Sequence, residues 1–138
     1  MTQDQKDLLL KDLCARLPYD VKVNCNDKVY NFNGIQYFNI CILTDDNENN
    51  AFTTAGIKYI KPYLFPLESM TEEQRRYIND RWGVNEKFDF EIDPDWGKYF
   101  VELNDALDFI NWCYENHLDI NGLIPKDLAN DATGLNIY

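Results

Sequence analysis

The sequence is short of the features that usually announce a chemistry. Its six glycines (Gly34, Gly56, Gly83, Gly97, Gly122 and Gly134) all stand alone, so no Gly-rich loop is present to cradle a phosphate. Histidine occurs once, at His117, which leaves one imidazole for all of acid–base or metal chemistry. The four cysteines, Cys14, Cys25, Cys41 and Cys113, contain no CxxC pair and so lack the paired spacing of a zinc or redox motif. No apolar run approaches the roughly 20 residues that span a bilayer. The opening residues Met1 to Asp7 are polar and acidic, unlike the basic and then apolar pattern of a secretory signal. These absences set the expectation of a cytoplasmic protein with reduced, mostly buried thiols.

Positive charge is also scarce. Thirteen Lys and Arg face twenty-four Asp and Glu, a net charge of −11. Residues 1–69 carry seven basic and nine acidic side chains (−2), and residues 70–138 carry six and fifteen (−9). Direct nucleic-acid binding through phosphates and attraction to anionic membranes are disfavoured by that balance. A basic protein partner is compatible with it.

What is present is a core. Hydrophobic residues make up 45% and aromatics 14% of 138 residues, which excludes global disorder and fits one domain over 1–138. Thr2 and Gln5 have capping-box spacing ahead of a helix over 3–16, with Leu9, Leu13 and Leu17 as its apolar stripe and Pro18 as its stop. Val21, Val23 and Cys25 alternate as a strand, Asn26-Asp27 supplies a turn, and Lys28 to Phe32 is a second strand. Asn33-Gly34 signals a hairpin into a third, mostly buried strand over 36–44. Asp45 to Asn50 is a polar loop tip, and Ile57 to Leu64 returns as a short or edge strand because of Pro62. A second capping box, Ser69/Glu72 or Thr71/Gln74, opens a helix over 70–82 that buries Met70, Tyr77, Ile78 and Trp82. Lys87 to Asp93 alternates as a strand with Phe88, Phe90 and Ile92 inward and acids outward. A helix over 104–117 follows, its stripe including Leu107, Ile110, Cys113 and His117, with its exit at Asn121-Gly122 and a tail after it. The fold expected is α+β: an antiparallel sheet of four to five strands packed on one face by about three helices.

Three stretches, Leu8 to Val23, Lys61 to Gln74 and Asp108 to Leu128, resemble a family of small proteins from gut bacteria and their phages or mobile elements. They include Lys61-Pro62-Tyr63-Leu64 ahead of Ser69-Met70-Thr71-Glu72-Glu73, and a late helix leading into Gly122-Leu123-Ile124-Pro125-Lys126. That family has no assigned activity, cofactor or catalytic residue, so the resemblance implies a bacterial or phage setting and no chemistry.

The candidate sites follow from charge and aromatics. Ten acids lie between Glu86 and Asp119, against Lys87 and Lys98. Acids at alternate positions on one strand face repel unless solvated or neutralised, so Asp89, Glu91, Asp93 and Asp95 form a candidate partner-binding surface, with Trp96 as its exposed aromatic. A solvated edge that resists aggregation is the plainer account of the same charges. Asp45-x-Asn47-x-Asn49 matches the opening of a calcium loop but lacks its later Gly and Glu. Cys113 and His117, four apart on a helix, offer two zinc ligands without a second pair, and no metal or cofactor is assigned. Arg75, Arg76 and Arg81 form one basic cluster, expected to pair internally. No catalytic residue is assigned. The functional expectation is a non-enzymatic binding or accessory protein of bacterial or mobile-element origin that uses its acidic C-terminal half, in a sharper form as a DNA mimic acting against a defence system. The alternative is a small enzyme of unknown reaction, which a pocket around His117 would favour.

Overall fold

The computed structural model describes residues 1–37, 39–49, 51–84 and 103–138, with side chains in the last stretch from 106 onward. The first element is α1 (Gln3–Arg16). Its capping box is closed in both directions: the Gln5 N–H donates to Thr2 Oγ1 at 3.2 Å and the Thr2 N–H donates to Gln5 Oε1 at 2.9 Å. Pro18 stops it, and a 3-10 turn at Leu17–Tyr19 leads to Asp20 in the left-handed region. The buried face is Leu9, Asp12, Leu13 and Arg16, at helical spacings of three and one. Leu17 is exposed, because the helix ends before that position can complete the stripe.

Among the described residues, five further segments and a short strand near the chain end make one six-stranded sheet. The strands are β1 (Lys22–Cys25), β2 (Lys28–Gln36), β3 (Ile40–Asp45), β4 (Ala51–Gly56), β5 (Lys61–Leu64) and β6 (Asn130–Asp131), in the order β4-β3-β2-β1-β5-β6. All neighbours are antiparallel except β5 and β6, which run parallel with Tyr63 opposite Asn130. The fold is therefore α+β with a mixed sheet, one strand larger than expected. Asn26 and Asp27 both take positive φ (51° and 62°), as a two-residue hairpin turn requires.

Asn33-Gly34 does not turn the chain. Its signal needs both residues in the left-handed region, and here Asn33 extends its side-chain amide across the ladder to Thr44 Oγ1. Gly34, at φ 146°, sits where the β2–β3 register shifts, so the pair makes a bulge. The reversal comes later, with Tyr37 and Asn39 at φ 35° and 73°. The segment over 51–56, to which the sequence pattern assigns no element, is a full partner of β3. The strand expected over 57–64 divides into a 3-10 turn at Ile57–Tyr59 and β5. Pro62 lies inside the sheet, where only two residue pairs join β5 to β1. The chain end is no free tail, since β6 covers the other side of β5.

Two helices complete the fold. In α2 (Glu72–Trp82), Thr71 and Gln74 form the capping box, and Gly83 ends the helix at φ 67°. Ile78 and the preceding Met70 are buried, Trp82 is half-buried and Tyr77 is exposed. The last helix, α3 (Leu103–Glu115), stops two residues short of His117. Phe109 and Cys113 are its buried positions, while Leu107 and Ile110 face outward. Leu9 and Leu13 join the sheet residues Val23, Phe32, Leu43 and Leu64 in one cluster. Met70, Ile78, Phe109, Cys113 and Leu118 make a second, walled by Phe65, Trp82 and Trp112. The buried residues of α1 thus belong to the sheet cluster, and those of α2 and α3 to the second cluster, beside Phe65 at the end of β5. Among the described residues no helix is long and apolar enough to cross a membrane. All four cysteines are free, three buried and Cys14 exposed.

A single ion pair links the two clusters. Arg16 and Asp12 are both fully buried, with Nε 2.5 Å from Oδ1 and Nη2 3.1 Å from Oδ2. Arg16 Nη2 also donates to the Leu118 carbonyl at 2.8 Å, and Asn121 Nδ2 donates to Asp12 Oδ2 at 2.8 Å. The guanidinium lies 4.9 Å from the centre of the Tyr114 ring. Removing one member of such a pair strands a buried charge, which costs about 3–5 kcal/mol. Asp12→Ala should therefore lower the urea-unfolding free energy by about that amount, while Asp127→Ala, at the exposed end of the Lys61 pair, leaves it nearly unchanged. Equal effects of the two substitutions would refute the assignment.

Candidate functional site

The chain leaves α3 through a helix-closing motif built on His117. The His117 N–H donates to Tyr114 O at 3.0 Å and the Leu118 N–H to Cys113 O at 2.9 Å, with His117 at φ 58°. Glycine is the usual residue there. Of the nine non-glycine residues with positive φ among the described residues, seven are Asn or Asp, and only Tyr37 and His117 are bulky. Leu118 then lies parallel to Phe65, whose N–H donates to His117 O at 2.8 Å, while the Asp119 N–H donates to Phe65 O at 2.9 Å. The turn after α3 is thus stitched to the end of β5.

The imidazole of His117 stacks on Tyr138, with ring centres 3.7 Å apart and planes 13° from parallel. The Tyr138 hydroxyl donates to Tyr63 O at 2.7 Å and accepts from the Lys22 N–H at 3.0 Å, which locks the tyrosine over the sheet. Burial raises its pKa above the ordinary phenol value. Burial, helped by the positive charges of Arg16 and Lys22 against the smaller pull of Asp20, brings His117 down to about 4. It is a neutral imidazole at pH 7, and its buried Nδ1 has no hydrogen-bond partner among the described residues.

Between this turn and the start of α2 lies a cleft of about 340 Å³. Phe65, Leu118 and the Tyr138 ring supply its apolar lining, and Ser69, Thr71, Gln74, Glu115, Asn116 and His117 its polar lining. Several of the polar groups are already engaged. Ser69 Oγ donates to Pro66 O at 2.7 Å, Thr71 and Gln74 cap α2, and Asn116 Nδ2 donates to Trp112 O at 2.8 Å. Among the described residues Glu115 is the single charged lining residue, and it is exposed.

The positions expected from the sequence fare differently. Asp89, Glu91, Asp93, Asp95 and Trp96 lie outside the described residues. Of the other acids in that half, Asp108 and Glu115 are exposed, but Asp119 is buried and accepts from the Leu123 and Ile124 N–H groups at 2.7 and 2.9 Å. It serves as a turn cap, not as part of an outer face. Cys113 and His117 do not share a helix face, because the helix ends between them, and burial pushes the Cys113 thiol up to about 12. Asp45 pairs with Lys28 and accepts the Asn47 N–H, Asp46 pairs with Lys22 and Glu48 with Lys28, so each carboxylate of the calcium-like loop already has a lysine partner. Arg75 donates to the carbonyls of Met70 and Glu68, and Arg81 lies over Trp82. No local pattern marks the left-handed His117, or the reach of Tyr138 to it across some twenty residues of chain.

His117 makes stability depend on pH with a definite sign. The unfolded imidazole takes up its proton near pH 6.5 and the folded one near 4, so between these values the unfolded chain binds more protons. Stability is full above about pH 6.5 and falls towards pH 4. Asparagine also tolerates the left-handed conformation, so His117→Asn keeps the turn and removes the titration. Unfolding measured at pH 7 and 4.5 should show wild type losing up to about 2 kcal/mol more than H117N, solvent screening of the half-buried ring reducing the full effect; parallel losses would contradict the neutral imidazole. No protein-family model, curated protein or solved structure matches this chain.

Proposed function

We propose that this is a non-enzymatic binding protein whose ligand occupies the cleft beside His117. The observation that carries this reading is a cleft of about 340 Å³ whose walls are set by hydrogen bonds to backbone and caps. That volume lies at the small end of ligand sites. Catalysis by a nucleophile would want the imidazole bonded to a hydroxyl or thiol. Here Ser69 gives its proton to Pro66 O, and the ring of His117 is stacked on Tyr138. The chemistry of the lining favours a small ligand with a flat apolar body and a cationic or donating group directed at Glu115. Titrating the protein with an aromatic amine and with the carboxylate of the same skeleton distinguishes the possibilities by NMR. The amine should shift the His117 and Leu118 resonances, and Glu115→Gln should weaken it up to about fivefold, as suits an exposed charge. Preference for the carboxylate, or shifts elsewhere only, would overturn the proposal.

A second proposal rests on the −9 charge of residues 70–138. It is an accessory role, in a bacterial or mobile-element setting, that docks a basic protein on Asp89, Glu91, Asp93, Asp95 and Trp96, with DNA mimicry as its sharper form. Its support is the alternation of acids in the sequence. A salt-sensitive pull-down lost on charge reversal of Glu91 and Asp93 is the expected result, and salt-independent capture would count against it.

A further inference from the structure

The strand β4 closes one side of the sheet, and among the described residues nothing pairs with its outer edge. Its sequence, Ala51-Phe52-Thr53-Thr54-Ala55-Gly56, has no charge, no proline and no bulge against β3. Those are the devices that ordinarily keep an edge strand from pairing with another chain, and their absence is notable in a protein of net charge −11.

The hydrogen-bond pattern says which residues are available. The Ile57 N–H donates to Asn39 O at 2.9 Å, so residues 39 and 57 are a hydrogen-bonded pair. Hydrogen-bonded pairs alternate along an antiparallel ladder, so 55, 53 and 51 bond to β3, and Phe52, Thr54 and Gly56 direct their N–H and C=O groups outward. We propose that β4 pairs antiparallel with β4 of a second copy of this chain, about a two-fold axis at Thr54.

This register matches outward groups with outward groups: Thr54 faces Thr54 of the second copy, and Phe52 faces Gly56. The side chains fit it. Phe52 is 75% exposed, and it points to the same face as the position where a Gly56 side chain would begin. The Tyr59 ring lies 3.7 Å from that position and is itself 57% exposed. Within one chain Phe52 and Gly56 are four residues, about 13 Å, apart along the strand. The two-fold brings the exposed Phe52 of each copy against the exposed Tyr59 of the other, over a glycine that leaves room, and does so twice. Charge does not oppose the approach. The acids before β4 are paired, Asp45 and Glu48 with Lys28 and Asp46 with Lys22, and the pairing sets that end of β4 beside the end that precedes Lys58 in the second copy.

Cysteine cross-linking tests the register, in a Cys14→Ser background because Cys14 is the exposed thiol. Two Thr54 residues in a hydrogen-bonded pair have Cα atoms about 5.5 Å apart, within disulfide range. Two Thr53 residues would be about 8 Å apart and out of range. With diamide, Thr54→Cys should form a covalent dimer and Thr53→Cys should remain mostly monomeric. Sedimentation of the unmodified chain should show a mass that doubles with concentration, and Thr54→Lys, which sets two ammonium groups on the axis, should return it to a monomer. A wild type that stays monomeric at every concentration, as it would if another part of the same chain covered β4, overturns the proposal. So does equal cross-linking of the two cysteine variants.

Discussion

The fully buried pair of Asp12 and Arg16 is the constraint on which the rest of the molecule depends. Two charges taken out of water are costly, and each hydrogen-bonding group that finds a partner offsets part of that cost. Here the second carboxylate oxygen takes Asn121, and the guanidinium reaches the Leu118 carbonyl and the face of Tyr114, while its buried Nη1 has no hydrogen-bond partner among the described residues. Every one of those partners belongs to α3 or to the turn that follows it. The first helix is therefore fastened to a segment 102 residues away in sequence, and that segment is the wall of the cleft. The same positive charge adds to burial in keeping His117 neutral. Stability, site geometry and site electrostatics thus share one residue, Arg16.

Local chemistry in the sequence located much of the fold and little of the site. The limits of α1 were legible because a capping box and a proline bracket it, and Thr71/Gln74 opens α2 for the same reason. Asn26-Asp27 turns the chain as its residues suggest, whereas Asn33-Gly34 does not, because the pairing with β3 on both sides of it, at Asn31–Phe32 and Gly34–Gln36, outweighs the local preference. The strand β4 carries no signal in the sequence, since its uncharged and mostly small residues show no alternation; it is recruited by β3 and not by its own pattern. Asp12 and Arg16 do fall on the stripe of Leu9 and Leu13, but i, i+4 opposite charges ordinarily read as a solvated surface pair. The left-handed His117 and its stack on Tyr138 depend on contacts that close only in three dimensions.

The two interaction sites argued for lie at different borders of the sheet. The cleft flanks the end of β5, next to β6, while β4 is the border strand on the opposite side. Pairing through β4 would extend the sheet and leave the cleft open to its ligand. Taken together, the two proposals amount to a binding protein with two equivalent clefts on one continuous sheet.

The central claim is that His117 is held neutral in a clamped turn, by burial together with the charge of Arg16. Because the chain has one histidine, its imidazole gives a single set of carbon-bound proton resonances, and an NMR titration follows it without ambiguity. The expected midpoint lies well below the ordinary value, at about 4. A midpoint at the ordinary value of about 6.5 would mean that the ring is free in water, and the clamp and the cleft built on it would be wrong.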